Sequence, residues 1–131
     1  MKVKSKSEAS VHQQIVDYIK IQYPKVIFRT DFASGARMTI GQAVKHKKLQ
    51  QSRAWPDIAI YHPTANGSVL FLEIKKDLSE VFTKKGNLVS NEHIREQHEV
   101  LQTLNNLGYY ADWGLGFDRT KKIIDDWMKA K

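Results

Sequence analysis

Three side chains in this sequence have the types and spacing that metal-assisted hydrolysis requires: Asp57 in Trp55-Pro56-Asp57, and Glu73 and Lys75 in Glu73-Ile74-Lys75. The second string closes an apolar run, Val69-Leu70-Phe71-Leu72. A strand that apolar belongs in a core, where a carboxylate and an ammonium are costly unless something there uses both. Side chains alternate along a strand, so Glu73 and Lys75 point to one face and Ile74 to the other. Two carboxylates, Asp57 and Glu73, are hard oxygen ligands for Mg²⁺ or Mn²⁺ and leave coordination positions for water and a phosphate oxygen. The backbone carbonyl of Ile74 is a further candidate ligand, and Lys75 is placed to orient a water or to offset transition-state charge. Each string alone has a plainer reading: Asp57 as a turn residue after Pro56, and Glu73 with Lys75 as edge-strand charges that discourage aggregation.

These residues need elements to position them. Residues 57–61 and 69–75 read as two strands around His62-Pro63-Thr64-Ala65-Asn66-Gly67-Ser68, a hairpin connection rich in turn formers. A two-residue turn at Asn66-Gly67 makes the numbers of paired residues total 133, which sets Asp57 opposite Lys76 with its side chain turned away from Glu73. A shared site demands an even total, hence a bulge or a loop of odd length, for which Pro63 is suited. The expected register is therefore even.

Around the hairpin, Val11, Ile15, Tyr18, Ile19 and Gln22 predict a helix over 7–22, capped by Ser7 or Ser5. Pro24 stops it, and residues 25–29 read as a strand. A short helix is expected within 39–51, and a loop or short helix over 76–88. A helix over 91–107 should end on Gly108, followed by a strand over 109–115 and a helix capped by Asp118 that carries Ile123, Ile124 and Trp127. The order α-β-(α)-β-β-α-β-α predicts one α/β domain over 1–131, a mixed β-sheet flanked by helices.

The chain has 131 residues, with 21 Lys plus Arg against 14 Asp plus Glu, a net charge of +7 that favours polyanionic partners such as nucleic acid. Cysteine is absent, which excludes disulfides, thiolate nucleophiles and Cys-based zinc sites. The five histidines include no pair spaced i, i+4 beside a Glu on one helix, so a His-based zinc site is not expected. There is no Gly-rich phosphate loop, so no nucleotide cofactor is expected. No membrane-spanning run or signal peptide is read, and a cytoplasmic protein is expected.

At its carboxylates and lysine the sequence resembles the PD-(D/E)xK nucleases, and within them the VRR-Nuc family. Arg53-Ala54-Trp55-Pro56-Asp57-Ile58-Ala59-Ile60 is similar to the segment carrying that family's Pro-Asp, and Leu70-Phe71-Leu72-Glu73-Ile74-Lys75 to its Glu-x-Lys strand. Gln97 resembles the Gln that the family places on the following helix, and Glu8 its leading accessory acid; Gly108-Tyr109-Tyr110-Ala111 and Phe117-Asp118 also fit. The resemblance covers most of the chain. It implies a restriction-endonuclease-like core, a Mg²⁺-dependent endodeoxyribonuclease, and catalytic roles for Asp57, Glu73, Lys75, Glu8 and Gln97. Single-domain members, many of them viral, look like Holliday-junction resolvases acting as homodimers, which implies branched DNA as substrate in the cytoplasm of a bacterial or virus-infected cell.

Spacing bears on both added residues. Glu8 precedes Val11 and Ile15 by three and seven positions, on the inward face of the first helix, where it either joins a metal site or answers the helix dipole. Gln97 shares a face with Ile94, Leu101 and Leu104, and its amide either bonds core backbone or reaches toward a phosphate or a metal's water. Arg37, Lys45, Lys47, Lys48, Arg53 and Lys76 are candidate nucleic-acid contacts, with a solvated surface as the alternative. Trp55 is either a core residue or a base-stacking one, while Trp113 and Trp127 read as core. Two other functions remain open: a non-catalytic basic DNA-binding module, and a nuclease acting on flap or duplex DNA or on RNA. Keeping Asp57, Glu73 and Lys75 together favours catalysis, since a protein that only binds phosphates has no use for an acid cluster facing them.

Overall fold

Even- and odd-numbered residues of one central strand enter two different cores, and this divides the molecule into layers. The computed structural model describes residues 7–30, 39–41 and 54–130. Its elements are α1 (Glu8–Gln22), β1 (Phe28–Thr30), β2 (Ile58–Ile60), β3 (Leu70–Lys75), a 3₁₀ turn (Leu78–Glu80), α2 (Glu92–Asn106), β4 (Tyr110–Leu115) and α3 (Phe117–Lys129). The sheet order is β1-β2-β3-β4: the first three strands are antiparallel, and β4 runs parallel to β3 after the α2 crossover. This is the expected mixed sheet flanked by helices.

On one face Ile58, Ile60, Leu70, Leu72 and Ile74 pack with Val11, Ile15 and Ile19 of α1 and with Ile124 and Trp127 of α3. On the other, Ala59, Phe71, Ala111 and Trp113 meet Val81 and the Ile94, Leu101 and Leu104 stripe of α2. β3 is buried along its whole length, which explains why it reads as an apolar run without polar alternation.

Helix ends follow their capping chemistry. The Ser7 hydroxyl accepts from Ser10 N at 3.1 Å, and the Asn91 carboxamide accepts from Ile94 N at 3.1 Å. α2 closes at Leu107 with Gly108 in the left-handed region at φ 98°. Asn105 exchanges two hydrogen bonds of 2.9 Å with the backbone of Ala111, tying the end of α2 to the start of β4.

Two expectations shift. β1 occupies Phe28–Thr30 rather than 25–29, because the chain turns at Pro24 and Lys25, with Val26 N donating to Tyr23 O at 3.0 Å, before it reaches the sheet. α3 begins at Phe117 with Gly116 as its cap and Asp118 inside its first turn. Gly116, at φ 82°, donates to Lys75 O at 2.9 Å and so carries the β3–β4 pairing into the helix start. Of the helix expected within 39–51, only 39–41 fall among the described residues.

Candidate active site

The register places Asp57. Ile58 pairs with Leu72, Ala59 with Phe71 and Ile60 with Leu70, so partner numbers total 130, an even value as expected. The tight turn lies one position earlier than Asn66-Gly67: Thr64 and Gly67 exchange hydrogen bonds of 2.8 and 3.2 Å around Ala65-Asn66. Three residues then lead from β2 to Thr64 and two from Gly67 to β3, and the extra residue is the bulge that sets the parity. Trp127 Nε1 donates to His62 O within that bulge at 2.9 Å. Continued one step, the register puts Asp57 opposite Glu73 with both side chains on one face.

Five of the sequence-selected residues meet there. Asp57, Glu73, Lys75 and Gln97 are all buried, and Glu8 is partly exposed at the rim. One carboxylate oxygen from each of Glu8, Asp57 and Glu73 lies within 4.8 Å of the others. Asp57 is anchored by Ile74 N, which donates to its Oδ2 at 2.8 Å. Gln97 Nε2 donates to Glu73 Oε1 at 2.9 Å. Lys75 Nζ stands 3.7 Å from Glu8 Oε1. Glu8 arrives from the helix layer opposite α2, so both layers and two strands contribute.

The electrostatics describe a site in want of a cation. Burial pushes the Glu73 carboxyl well above the usual range, and repulsion from Asp57 pushes the same way, against the pull of Lys75. Burial likewise raises Glu8 to about 7, opposed by Lys75 and reinforced by Glu80 and Asp57. Glu73 Oε2 and Gln97 Oε1 are buried without a hydrogen-bond partner. Orphaned buried acceptors are uncommon and costly, and these two sit beside clustered carboxylates. A hard divalent cation with its water shell suits that donor set.

Glu80 was not selected from sequence. Its Oε1 accepts from Lys76 N at 2.9 Å, and its carboxyl is close enough to Glu8 to push that group's pKa upward. The 3₁₀ turn that carries it is three residues long and leaves no periodic signal. Lys76 has an exposed side chain, while Arg37, Lys45, Lys47, Lys48 and Arg53 lie outside the described residues.

A solved structure described as "VRR_NUC domain protein" superposes on the chain with a TM-score of 0.65, over 98% of this chain and 93% of that one, at 19% sequence identity. The chain has the VRR_NUC fold. No protein-family model and no curated protein matches the sequence. The VRR_NUC fold fits a restriction-endonuclease-like core; in this chain the carboxylates stand just ahead of β2, on β3 and at the start of α1. Among the described residues, no helix is long and apolar enough to cross a membrane.

Proposed function

We propose that the chain is a VRR-Nuc-type nuclease, a divalent-metal-dependent endonuclease that hydrolyses DNA phosphodiester bonds. The observation that carries this reading is the convergence of Glu8, Asp57 and Glu73 within 4.8 Å, next to an orphaned Glu73 oxygen. Asp57, Glu73 and Glu8 would hold Mg²⁺ or Mn²⁺, with the Ile74 carbonyl as a further ligand. When bound, the cation supplies Lewis-acid charge neutralisation at the scissile phosphate.

The chain's own groups do the rest. Ile74 N fixes the Asp57 carboxylate, and Gln97 fixes Glu73, so neither ligand reorganises during reaction. Lys75, almost fully buried, holds a localised positive charge at the site and can donate to the attacking water or to a non-bridging phosphate oxygen. Gln97 Oε1, with no partner of its own, is available to accept from that water.

For the substrate, we carry over branched DNA, four-way junctions above all, and a homodimer that presents two sites to two strands. The net charge of +7 favours a phosphate backbone. The test incubates labelled four-way junction, flap, duplex and single-stranded DNA with the native protein in Mg²⁺ or EDTA, and measures oligomeric state by light scattering. Preferential Mg²⁺-dependent nicking of the junction by a dimer is expected. Equal cutting of every substrate by a monomer would remove the junction assignment and leave the nuclease; metal-dependent cutting of none would remove both.

A further inference from the structure

We propose that the sheet face adjoining the carboxylates, built from Trp55, Phe71, Tyr109 and Arg29, is a binding platform for unpaired nucleotides. The assignment rests on the nuclease reading for its ligand class, nucleic acid, and on the geometry below for its location.

The register lays Arg29, Ala59, Phe71 and Ala111 side by side across the four strands, with directly paired residues sharing a face. Ala59, Phe71 and Ala111 belong to the α2-side core, so Arg29 is on that face too. The stripe of α2 covers β3 and β4, whereas at β1 Arg29 is exposed. Ala59 is too small to fill the space between Arg29 and Phe71. Phe71 forms a floor, 7% exposed, and two half-exposed rings stand edge-on to it. Trp55 lies 6.2 Å from the Phe71 ring with planes at 76°, and Tyr109 lies 5.6 Å from it at 88°. Trp55 is 41% exposed and Tyr109 is 38% exposed.

An indole this exposed on a backing of one buried aromatic ring contributes little to the core and offers a π surface to solvent. Bases stack on such rings irrespective of sequence, and a neighbouring guanidinium serves the phosphate. The occupant is a single strand rather than a duplex, because paired bases keep their faces inside their own stack. The platform also lies in register with the site. Phe71 is two residues before Glu73 on β3, a step of about 6.7 Å along the strand, and the Trp55 ring stands against Phe71. A strand held there presents its next phosphodiester to the carboxylates. This fits a nuclease whose substrates carry unpaired nucleotides next to the cut, as flaps do.

Trp55 is its own reporter, since Trp113 and Trp127 are only 6% and 3% exposed. The probe is fluorescein-labelled oligothymidylate, with a duplex of equal length as control, titrated in EDTA so that nothing is cut. Tryptophan emission of the native protein should be quenched by oligothymidylate and not by the duplex, and the quench should vanish in Trp55→Phe. By anisotropy, Trp55→Ala should weaken oligothymidylate binding about ten-fold, and Arg29→Gln should reduce the slope of log K against log salt by about 1. Tyr109→Ala provides a second arm if Trp55→Ala fails to fold. Binding without a change in emission, equal quenching by duplex, or affinities within about two-fold of native in both aromatic variants would overturn the platform. Cutting in Mg²⁺ is scored separately: a protein that cuts but fails these tests loses only the platform, and one that is quenched but never cuts loses only the nuclease reading.

Discussion

Gln97 Nε2 donates to Glu73 Oε1 at 2.9 Å, while Gln97 Oε1 and Glu73 Oε2 both lack partners in the buried space beside them. One hydrogen bond therefore joins two side chains from different elements and leaves each with a buried oxygen that has no partner. Spacing allows Gln97 to bond core backbone or to reach toward a phosphate or a metal's water; in the structure its amide donates to the Glu73 carboxylate.

Gln97→Leu keeps the volume and removes the amide. It should weaken Mn²⁺ binding by about ten- to a hundred-fold, read by isothermal titration calorimetry, because a ligand that has lost its orienting hydrogen bond must be ordered by the metal itself. Unchanged affinity would mean that the amide does not orient Glu73.

The raised carboxyl groups set a pH dependence. Glu73, well above the usual range, and Glu8, at about 7, hold protons in the folded protein that the unfolded chain has released. A raised folded-state pKa gives stability that is fully present below the unfolded value, near 4.5, and is lost as pH rises through about 7. In EDTA the melting temperature should fall across that range, and saturating Mg²⁺ should offset the fall by taking the protons' place. Glu80 pushes Glu8 upward, so Glu80→Gln should move the midpoint to lower pH. A metal-free melting temperature that rises over this window would contradict the cluster.

Away from the site, Asp125 joins α1 to α3. Its Oδ1 accepts from the Tyr18 and Tyr23 hydroxyls and its Oδ2 from Lys121 Nζ at 3.2 Å. Burial raises the carboxyl, but these donors outweigh it and hold the pKa below the ordinary value. The resulting stability is present above the unfolded pKa and disappears as pH falls through the folded one. Asp125→Asn should cost about 1–3 kcal/mol in urea denaturation at neutral pH and flatten the acid limb of the stability profile.

Gly114 is a packing glycine. A Cβ built there would stand 2.7 Å from Thr120 Oγ1 and 2.8 Å from Ile74 Cδ1. Thr120 is fully buried and its hydroxyl is committed to Gly116 O at 2.6 Å, so neither neighbour has an easy escape. Gly114→Ala should destabilise by about 1–3 kcal/mol, measured by chemical denaturation.

The parity of the β2–β3 register was legible in the sequence because Asp57 can reach Glu73 and Lys75 only if the pairing is even. The turn itself was less so. Asn66-Gly67 is the favoured hairpin dipeptide, yet the bridge forms at Thr64 and Gly67, one position earlier, with the bulge at His62-Pro63 held by the Trp127 indole, a contact between residues 65 positions apart. α1 and α2 declared themselves by apolar spacing and capping residues, whereas β1 starts later than the β-branched Val26 and Ile27 suggest, because the chain still turns at Pro24 and Lys25 and Val26 N is committed to Tyr23 O. Glu80 was invisible, since its approach to Glu8 depends on a single short turn anchored by Lys76 N. Arg29 was equally hidden, because its place beside Ala59 follows from strand pairing and not from any local pattern.

Metal-dependent strand cleavage should depend on the Asp57 carboxylate. The direct measurement is the single-turnover rate of cutting an end-labelled four-way junction in Mg²⁺ by the native chain and by Asp57→Asn, with EDTA as the blank and folding of the variant checked by circular dichroism. The expected result is cutting by the native protein that EDTA abolishes and that Asp57→Asn lowers by at least about a hundred-fold. Cutting that persists in EDTA, or that Asp57→Asn leaves within about two-fold of native, would contradict it.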